Sequence, residues 1–376
     1  MILIAFIAVL VAGSLVYCLL VVLAAIRHTR EPRPPAAAHP NTFISVLKPL
    51  SGIEEGLREN LVSFFEQDYS RYELLFAVQY ADDPAAPLLQ SLMALYPHIS
   101  CRFLITGKSP YTSPKVYSLS LMTAAATHDL LVLSDSDIRV DRTFLSRIAA
   151  ELATDRYDLA TCPYRAVPGD TIWSRLEALG MNTEFWGGVL VAKLMEGVRF
   201  AVGPTVVARR KVLNAIPWST LSGYHAEDFV LGQRAAEKGF RVDLSHCVVE
   251  HRLGSDTFRT NFLHRMRWGR STRRSRPWGY VGQVFTYPLP LALLLVGFAH
   301  SLWPILILTA ILRAWAADAV SHGLLDNRLS ARSWLWMPVQ DLLGFVFWLA
   351  GFTGNSIHWR GRRYRLRADG TLELLR

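Results

Sequence analysis

The chain has 376 residues, 51% of them hydrophobic and 19% charged, and its 40 Lys and Arg against 31 Asp and Glu leave a net charge of +9. That length suits one catalytic-sized domain plus extra segments, and the apolar residues gather at the two ends while the middle, 40–280, reads as an ordinary globular domain. No aromatic-rich basic module accompanies the arginines, which sets nucleic-acid binding aside, and Cys18, Cys101, Cys162 and Cys247 form no C-x-x-C pair, which sets aside a zinc site or a disulfide framework.

Residues 2–26 carry no charged side chain and exceed the roughly 20 residues that a helix needs to cross a bilayer. Arg27, Arg30 and Arg33 follow this run instead of preceding it, the reverse of a signal peptide. Residues 1–27 are therefore expected to be a retained transmembrane anchor, its N-terminus outside and the chain beyond it cytoplasmic. A Pro-rich linker, 28–41, leads into a domain spanning 42–283. Within it, residues 42–47, 74–78, 101–105 and 130–133 read as strands, and 87–95 and 115–127 as helices. This alternation predicts an α/β fold with a mostly parallel, Rossmann-like sheet, helices on both faces, and ligands beyond the carboxyl ends of the strands.

A basic helix is expected near 258–276, carrying Arg270, Arg273, Arg274 and Arg276, and membrane segments over 284–359. In the latter, 284–299 and 302–320 read as a helical hairpin whose tip lacks Lys and Arg and so faces outside. Residues 334–359 form a fourth apolar stretch, interrupted by Gln340, Asp341, Gly344, Gly351, Gly354 and Asn355. A fourth full crossing would put the Arg-rich tail, 360–376, outside, against the charge rule, so this last stretch is expected to be re-entrant or interfacial and the tail cytoplasmic.

The sharpest chemical feature is Asp135-Ser136-Asp137 directly after the apolar strand. On an extended segment, side chains two apart point the same way, so both carboxylates can share a hard divalent cation such as Mg²⁺ or Mn²⁺ and through it a nucleotide diphosphate. A surface turn capped by two aspartates is the competing reading. Asp82 and Asp83 end an earlier strand, where a carboxylate can take hydrogen bonds from a nucleoside or simply make an Asp-Pro turn. His225-Ala226-Glu227-Asp228 places carboxylates ahead of an amphipathic run, as favourable first-turn charges or as a general base. His264-Arg265-Met266-Arg267-Trp268 supplies a fork-shaped donor for diphosphate oxygens and an aromatic cover for an acceptor.

Taken together and in this order, these groups resemble the ceramide glucosyltransferase-like family of GT-A fold glycosyltransferases. Further matches are Leu47-Lys48-Pro49-Leu50, Ser113-Pro114-Lys115 and the tail from Trp359 to Arg367. The resemblance implies a GT-A catalytic domain and an inverting transfer of a hexose, glucose or N-acetylglucosamine, from a UDP-sugar to a membrane lipid hydroxyl, in a bacterial inner membrane. It implies that Lys48, Pro49, Lys115, Asp135, Arg267 and Trp268 bind the donor and that Asp82 or Asp83 holds its uridine. Asp135 and Asp137 would hold Mg²⁺ or Mn²⁺, and Asp228 would be the catalytic base. His264 and Trp268 would face the acceptor, although His264 stands where the family carries Gln or Arg. The stretch 274–290 is similar to the hopanoid-biosynthesis branch, so ceramide and a hopanoid polyol are both open as acceptor. A processive polysaccharide synthase would need more crossing helices, and a transporter or scaffold would carry its charges inside membrane segments.

Overall fold

The computed structural model describes residues 1–33, 42–153, 156–359 and 362–375. Most of the expected linker, from 34 on, and Arg360, Gly361 and Arg376 of the tail lie outside the described residues. The first element, α1 (Ile2–Thr29), is a single uninterrupted helix.

The domain that follows is built on a seven-stranded sheet. Its parallel half comprises β1 (Ile44–Pro49), β2 (Tyr72–Val78), β3 (Ser100–Ile105) and β4 (Leu130–Ser134), in the order β3-β2-β1-β4. After β5 (Ile138–Arg139) come β6 (Leu159–Thr161), β7 (Tyr164–Val167), β8 (Thr205–Arg209), β9 (Val242–Leu244) and β10 (Val249–Arg252). Antiparallel β8 joins β4 to β6, and β9 closes that edge, while β5, β10 and β7 form a small second sheet.

Neighbouring residues of the parallel strands turn to opposite faces, as the period-two pleat requires. Val46, Leu74, Phe76 and Val132 pack with α2 (Leu57–Phe65), α3 (Ala85–Leu95) and α5 (Phe144–Ala153). Leu47, Leu75, Ala77, Leu131 and Leu133 pack with α4 (Pro114–Ala125), α8 (Arg210–Ala215) and α9 (Glu227–Glu237). Strands buried on both faces explain why β2 and β4 read as continuous apolar runs and not as alternating ones.

Helices α6 (Ile172–Gly180) and α7 (Trp186–Glu196) are joined without a break by a π-helical turn, Met181–Phe185. The basic helix α10 (Phe258–Ser275) starts at the Thr257 cap, whose hydroxyl accepts from the Thr260 amide at 3.3 Å. Its arginines do not all face a membrane surface. Arg270 donates to the carbonyls of Thr353 at 3.0 Å and Ser356 at 2.5 Å, and Arg273 and Arg274 donate to Asn355 Oδ1 at 2.6 and 2.7 Å. They hold the loop that leaves the last helix, a role that only the tertiary structure reveals.

The C-terminal helices are α11 (Pro277–Gly282), α12 (Pro288–Phe298), α13 (Trp303–Gly323) and α14 (Ala331–Gly351). The hairpin expected over 284–299 and 302–320 is altered at its first arm. Residues 284–286 belong with α11, and α12 begins at Pro288 after a 63° bend, because a residue before proline leaves the helical region and Tyr287 sits at φ −112°, ψ 61°. Among the described residues, α1 and 300–323 are long and apolar enough to cross a membrane, and the bent pair 277–286 with 288–298 would make a third span. The fourth apolar stretch is helical only to Gly351, with Pro338 inside it, and buries Gln340 and Asp341.

Beyond it the tail is folded: β11 (Ser356–Trp359), β12 (Arg362–Leu366) and β13 (Leu372–Leu375) form an antiparallel sheet. That sheet docks on the α/β domain through a Tyr224–Thr371 bridge and a Leu372 amide to Gly223 carbonyl bond of 2.7 Å.

Candidate active site

The carboxyl ends of β1 and β4, the first turn of α9 and one side of α10 enclose a cavity of about 1680 Å³, which also reaches α1, α7 and α11. Each wall has a local cause. Ser113 caps α4 by accepting from the Val116 amide at 3.4 Å, and Pro114 occupies the first turn, where its missing amide costs nothing. Lys115 consequently stands in that first turn. Its Nζ lies 2.7 Å from Asp135 Oδ1 and 3.0 Å from Glu227 Oε1, so one cation ties the end of β4 to the start of α9.

Asp135 and Asp137 both line the cavity, but not for the reason of strand alternation. β4 ends at Ser134, and Asp135-Ser136-Asp137 is a tight turn in which the Ile138 amide reaches back to the Asp135 carbonyl at 3.3 Å. Lys48 secures this turn from behind. It is fully buried, lies 4.0 Å from the Phe64 ring centroid, and donates to the Asp135 carbonyl at 2.6 Å and to Ser134 Oγ at 3.2 Å. Burial pulls its ammonium down to about 7, against the opposing pull of Asp137 and Asp135.

Asp137 Oδ2 is 3.1 Å from His251 Nε2, which β10 carries to the cavity wall. Burial acts to raise the Asp137 carboxyl, but the His251 charge and hydrogen bond outweigh it and hold it low. Asp135 is raised by burial, with Lys115 opposing. Asp137 Oδ1 is buried and has no hydrogen-bond partner among the described residues, the orphan acceptor that a divalent cation would satisfy. Two carboxylates suit Mg²⁺ or Mn²⁺, and the His251 imidazolium would have to give up the proton it shares with Asp137 to add a nitrogen, which leans toward the transition metal. His251 lies in a short strand over 110 residues from Asp137, and no local signal in the sequence marks it.

Asp228 occupies the first turn of α9, and its carboxylate rests against Gly203: a Cβ there would come within 2.6 Å of Asp228 Oδ2. Only glycine leaves room for the carboxylate in this place. Burial first, then the charge of adjacent Glu227, push the Asp228 carboxyl up to about 7, against Lys115 and the Phe229 amide. A carboxylate with that affinity for a proton is suited to general-base work at neutral pH.

α10 brings His264, Arg267 and Trp268 to the same cavity. Trp268 packs edge-on against Phe185 at 6.1 Å and against His264 at 5.4 Å between ring centroids. His264 Nδ1 is 2.7 Å from Glu177, a buried carboxylate that also takes a hydrogen bond from Asn261. Glu177, Asp256 and His264 hold their ligand atoms within 4.8 Å of one another, a second acidic group of which the sequence reading singled out only His264.

Pro49 completes the residues that the cavity brings together with Lys115, Asp135, Asp137, Asp228, His264, Arg267 and Trp268. Lys48, Asp82 and Asp83 are not among its lining residues. Asp82 is exposed, and Asp83 accepts from the Gly52 amide at 3.0 Å and from the Ala85 amide at 2.9 Å, fixing the loop after β1 and the start of α3.

Against known proteins, the profile of glycosyl transferase family 21 matches residues 5–372. Ceramide glucosyltransferase 3 of Caenorhabditis elegans is 24% identical over 345 residues, which are 88% of this chain and 74% of that protein. Ceramide glucosyltransferase 1 of the same organism is 34% identical over 113 residues, 30% of this chain and 23% of that one. Among solved structures, a mannosyltransferase from Pyrobaculum calidifontis in complex with GDP-Man and Mn²⁺ superposes with a TM-score of 0.54 at 17% identity, covering 87% of this chain and 100% of that one. That likeness concerns the fold, which is GT-A. With a family profile running almost from end to end over a sheet and cleft of this form, the chain belongs to glycosyl transferase family 21.

Proposed function

We propose that the protein is an inverting transferase that moves a hexose, glucose or N-acetylglucosamine, from a UDP-sugar to a hydroxyl of a membrane lipid. The observation that carries this reading is continuity: one cavity runs from the Asp135–Asp137–Asp228 cluster to the membrane-associated helices α1 and α11. A soluble acceptor would need no such passage.

In this reading Asp228 removes the proton of the acceptor hydroxyl as its oxygen attacks the anomeric carbon and UDP leaves from the opposite face. Asp135, Asp137 and His251 would hold Mg²⁺ or Mn²⁺, which supplies positive charge to the departing diphosphate. Lys115 keeps Asp135 and Glu227 in place and neutralises them before the donor arrives. Arg267 offers a planar fork to diphosphate oxygens, and Trp268 with His264 covers the acceptor side. Lys48 serves the donor by holding the Asp135 turn, and Asp83 by holding the Gly52 loop at the uridine end, with Asp82 exposed beside it. The catalytic domain faces the cytoplasm, since Arg27, Arg30 and Arg33 follow the apolar run of α1.

The names of the relatives favour ceramide as acceptor, and the 274–290 stretch favours a hopanoid polyol. Transfer from radiolabelled UDP-glucose and UDP-N-acetylglucosamine to ceramide, diacylglycerol and hopanoid-polyol acceptors, in detergent with Mg²⁺ or Mn²⁺, tests the proposal. A labelled lipid identifies donor and acceptor together. Cation-dependent UDP binding with no labelled lipid from either donor would overturn the lipid-acceptor reading.

A further inference from the structure

The tail motif from Trp359 to Arg367 has no part in the reaction above, yet the fold brings it to the loop that delivers Asp228. Ile357 of β11, Tyr364 and Leu366 of β12 and Leu372 of β13 turn inward and form a small apolar core of their own. A tight turn joins β12 to β13. The Gly370 amide donates to the Arg367 carbonyl at 3.1 Å, and Asp369 Oδ1 accepts from the Thr371 amide at 3.0 Å. Gly370, at φ +82°, takes the left-handed conformation that a side chain would oppose. The motif therefore builds a hairpin whose far edge, β13, is open for another segment to pair with.

Residues 222–226 take that edge. The Leu372 amide bonds the Gly223 carbonyl and Tyr224 bridges Thr371, so the loop adds a short strand to the tail sheet. On its other side the Ser222 carbonyl accepts from the amide of Ser113, the cap of α4, at 3.2 Å. Next in the chain, His225 Nδ1 lies 3.3 Å from Ser271 Oγ on α10. Ala226 then opens α9, whose first turn holds Glu227 and Asp228. The hairpin is itself fastened to α10. Besides the bonds of Arg270 and Arg274 to this region, Arg273 donates to the Gly354 carbonyl at 2.7 Å, and the Leu366 amide donates to the Asn355 carbonyl at 2.7 Å. From β11, His358 lines the cavity. Asp228 thus has two supports, the donor side through Ser113 and Lys115, and the tail through Thr371 and Leu372.

We propose that the C-terminal sheet is a positioning element of the active site: through Thr371 and Leu372 it fixes the 222–226 loop, and with it the aim of the Asp228 carboxylate at the acceptor hydroxyl. The sheet acts only through the loop. Asp228 has little room for error, since its carboxylate rests so close to Gly203 that a Cβ there would come within 2.6 Å. A base misplaced by about 1 Å can lose on the order of 10²-fold in rate. The donor groups do not share this dependence, because Lys48 holds the Asp135 turn from behind, on the far side of β4 from the tail's contacts. The tail's effect accordingly falls on kcat and not on donor binding. This inference rests on the role of Asp228 as base in the proposed transfer.

The test uses the full chain in detergent. Leu372→Pro removes the amide that bonds Gly223, and Leu372→Ala, which keeps that amide but empties the same place in the tail core, is the control. In Leu372→Pro, hydrogen–deuterium exchange is expected to speed about tenfold at 222–228 and less than about twofold at 130–134. Turnover with the lipid that the transfer assay labels is expected to fall about tenfold, with the UDP-sugar KM and Mn²⁺-dependent UDP binding within about twofold. A Cβ at Gly223 would stand 3.9 Å from Thr371 Cβ, within the span of a disulfide. Adding Gly223→Cys and Thr371→Cys to Leu372→Pro therefore restores the tie on oxidation. Turnover is expected to recover to within about threefold of the oxidised wild-type chain, which has four cysteines of its own, and to fall again with dithiothreitol. Failure of the cross-link to form or to rescue, loop exchange unchanged by Leu372→Pro, an equal loss in Leu372→Ala, or a loss that falls on donor binding would overturn the inference. Loop exchange that responds as expected in a chain that transfers no sugar to any lipid would instead overturn the proposed reaction and leave the tail as the support of this loop.

Discussion

The two ends of the cavity are built on different principles. At the donor end, charged groups sit on regular elements: Lys115 and Asp228 occupy helix first turns, and Asp135 and Asp137 the turn after a central strand. They neutralise one another in pairs, Lys115 with Asp135 and His251 with Asp137. At the membrane end the polar groups Glu184 and Thr286 stand on irregular backbone, a π-turn and a 3₁₀ turn (Gln283–Thr286), and are held by helices far away in sequence. In the proposed reaction the first end meets the same diphosphate in every turnover and can rely on short local motifs, whereas the second would receive a lipid from between the helices that assemble it.

The largest expected effect separates the ends by reaction step. Asp228→Asn is expected to lower kcat by about 10²–10⁴-fold, the usual contribution of a general base, with UDP affinity within twofold. A rate within a few-fold of wild type would remove Asp228 from the role of base. At the membrane end, Arg313→Met leaves Asp341 buried without its cation and is expected to cost about 3–5 kcal/mol in the thermal unfolding of the detergent-solubilised chain. The double variant with Asp341→Leu should recover most of that loss, because an apolar pair leaves no buried charge.

Next in size is His251→Gln, expected to weaken Mn²⁺ binding about 10–100-fold by electron paramagnetic resonance titration. An unchanged Mn²⁺ affinity would confine His251 to holding Asp137. Acidity distinguishes the ends as well. Asp228 must be ionised to act as base, so kcat/KM is expected to fall about tenfold per pH unit below about 7. Stability moves the other way. The folded carboxyl is raised above its unfolded value, so its contribution is fully present below the unfolded value near 3.9 and is lost as pH rises toward about 7. Thermal unfolding of the cation-free chain across this window checks the sign.

The smallest expected effect is at Asp83. Asp83→Ala removes the acceptor of the Gly52 and Ala85 amides and is expected to cost about 1 kcal/mol of stability, as a lost helix cap does, with a change in UDP affinity of a few-fold at most. A loss of UDP affinity beyond tenfold would make Asp83 a direct nucleoside contact.

Much of this was legible in the sequence wherever the signal was local. The apolar runs of β2 and β4, the helix over 115–127 and the carboxylates ahead of the run in α9 follow from hydrophobic patterning, and the structure places the elements within a few residues of those limits. Asp135 and Asp137 both line the cavity, but a turn and not the expected strand alternation turns them to it. The arginines of α10 were not legible in this way. Composition alone cannot distinguish guanidinium groups that meet lipid from those that Thr353, Asn355 and Ser356 consume.

The sequence by itself determined the α/β domain, its flanking apolar segments and the acidic motifs at strand and helix ends, because each depends on residues a few positions apart whose spacing repeats the period of a helix or a strand. Only the tertiary structure decided that His251 joins Asp137, that Glu184 is aimed by a π-turn at Thr286, and that the tail is a sheet docked beside the loop leading to Asp228. Those contacts bridge about 100 residues or more and arise from packing between whole elements, which no short stretch of sequence encodes.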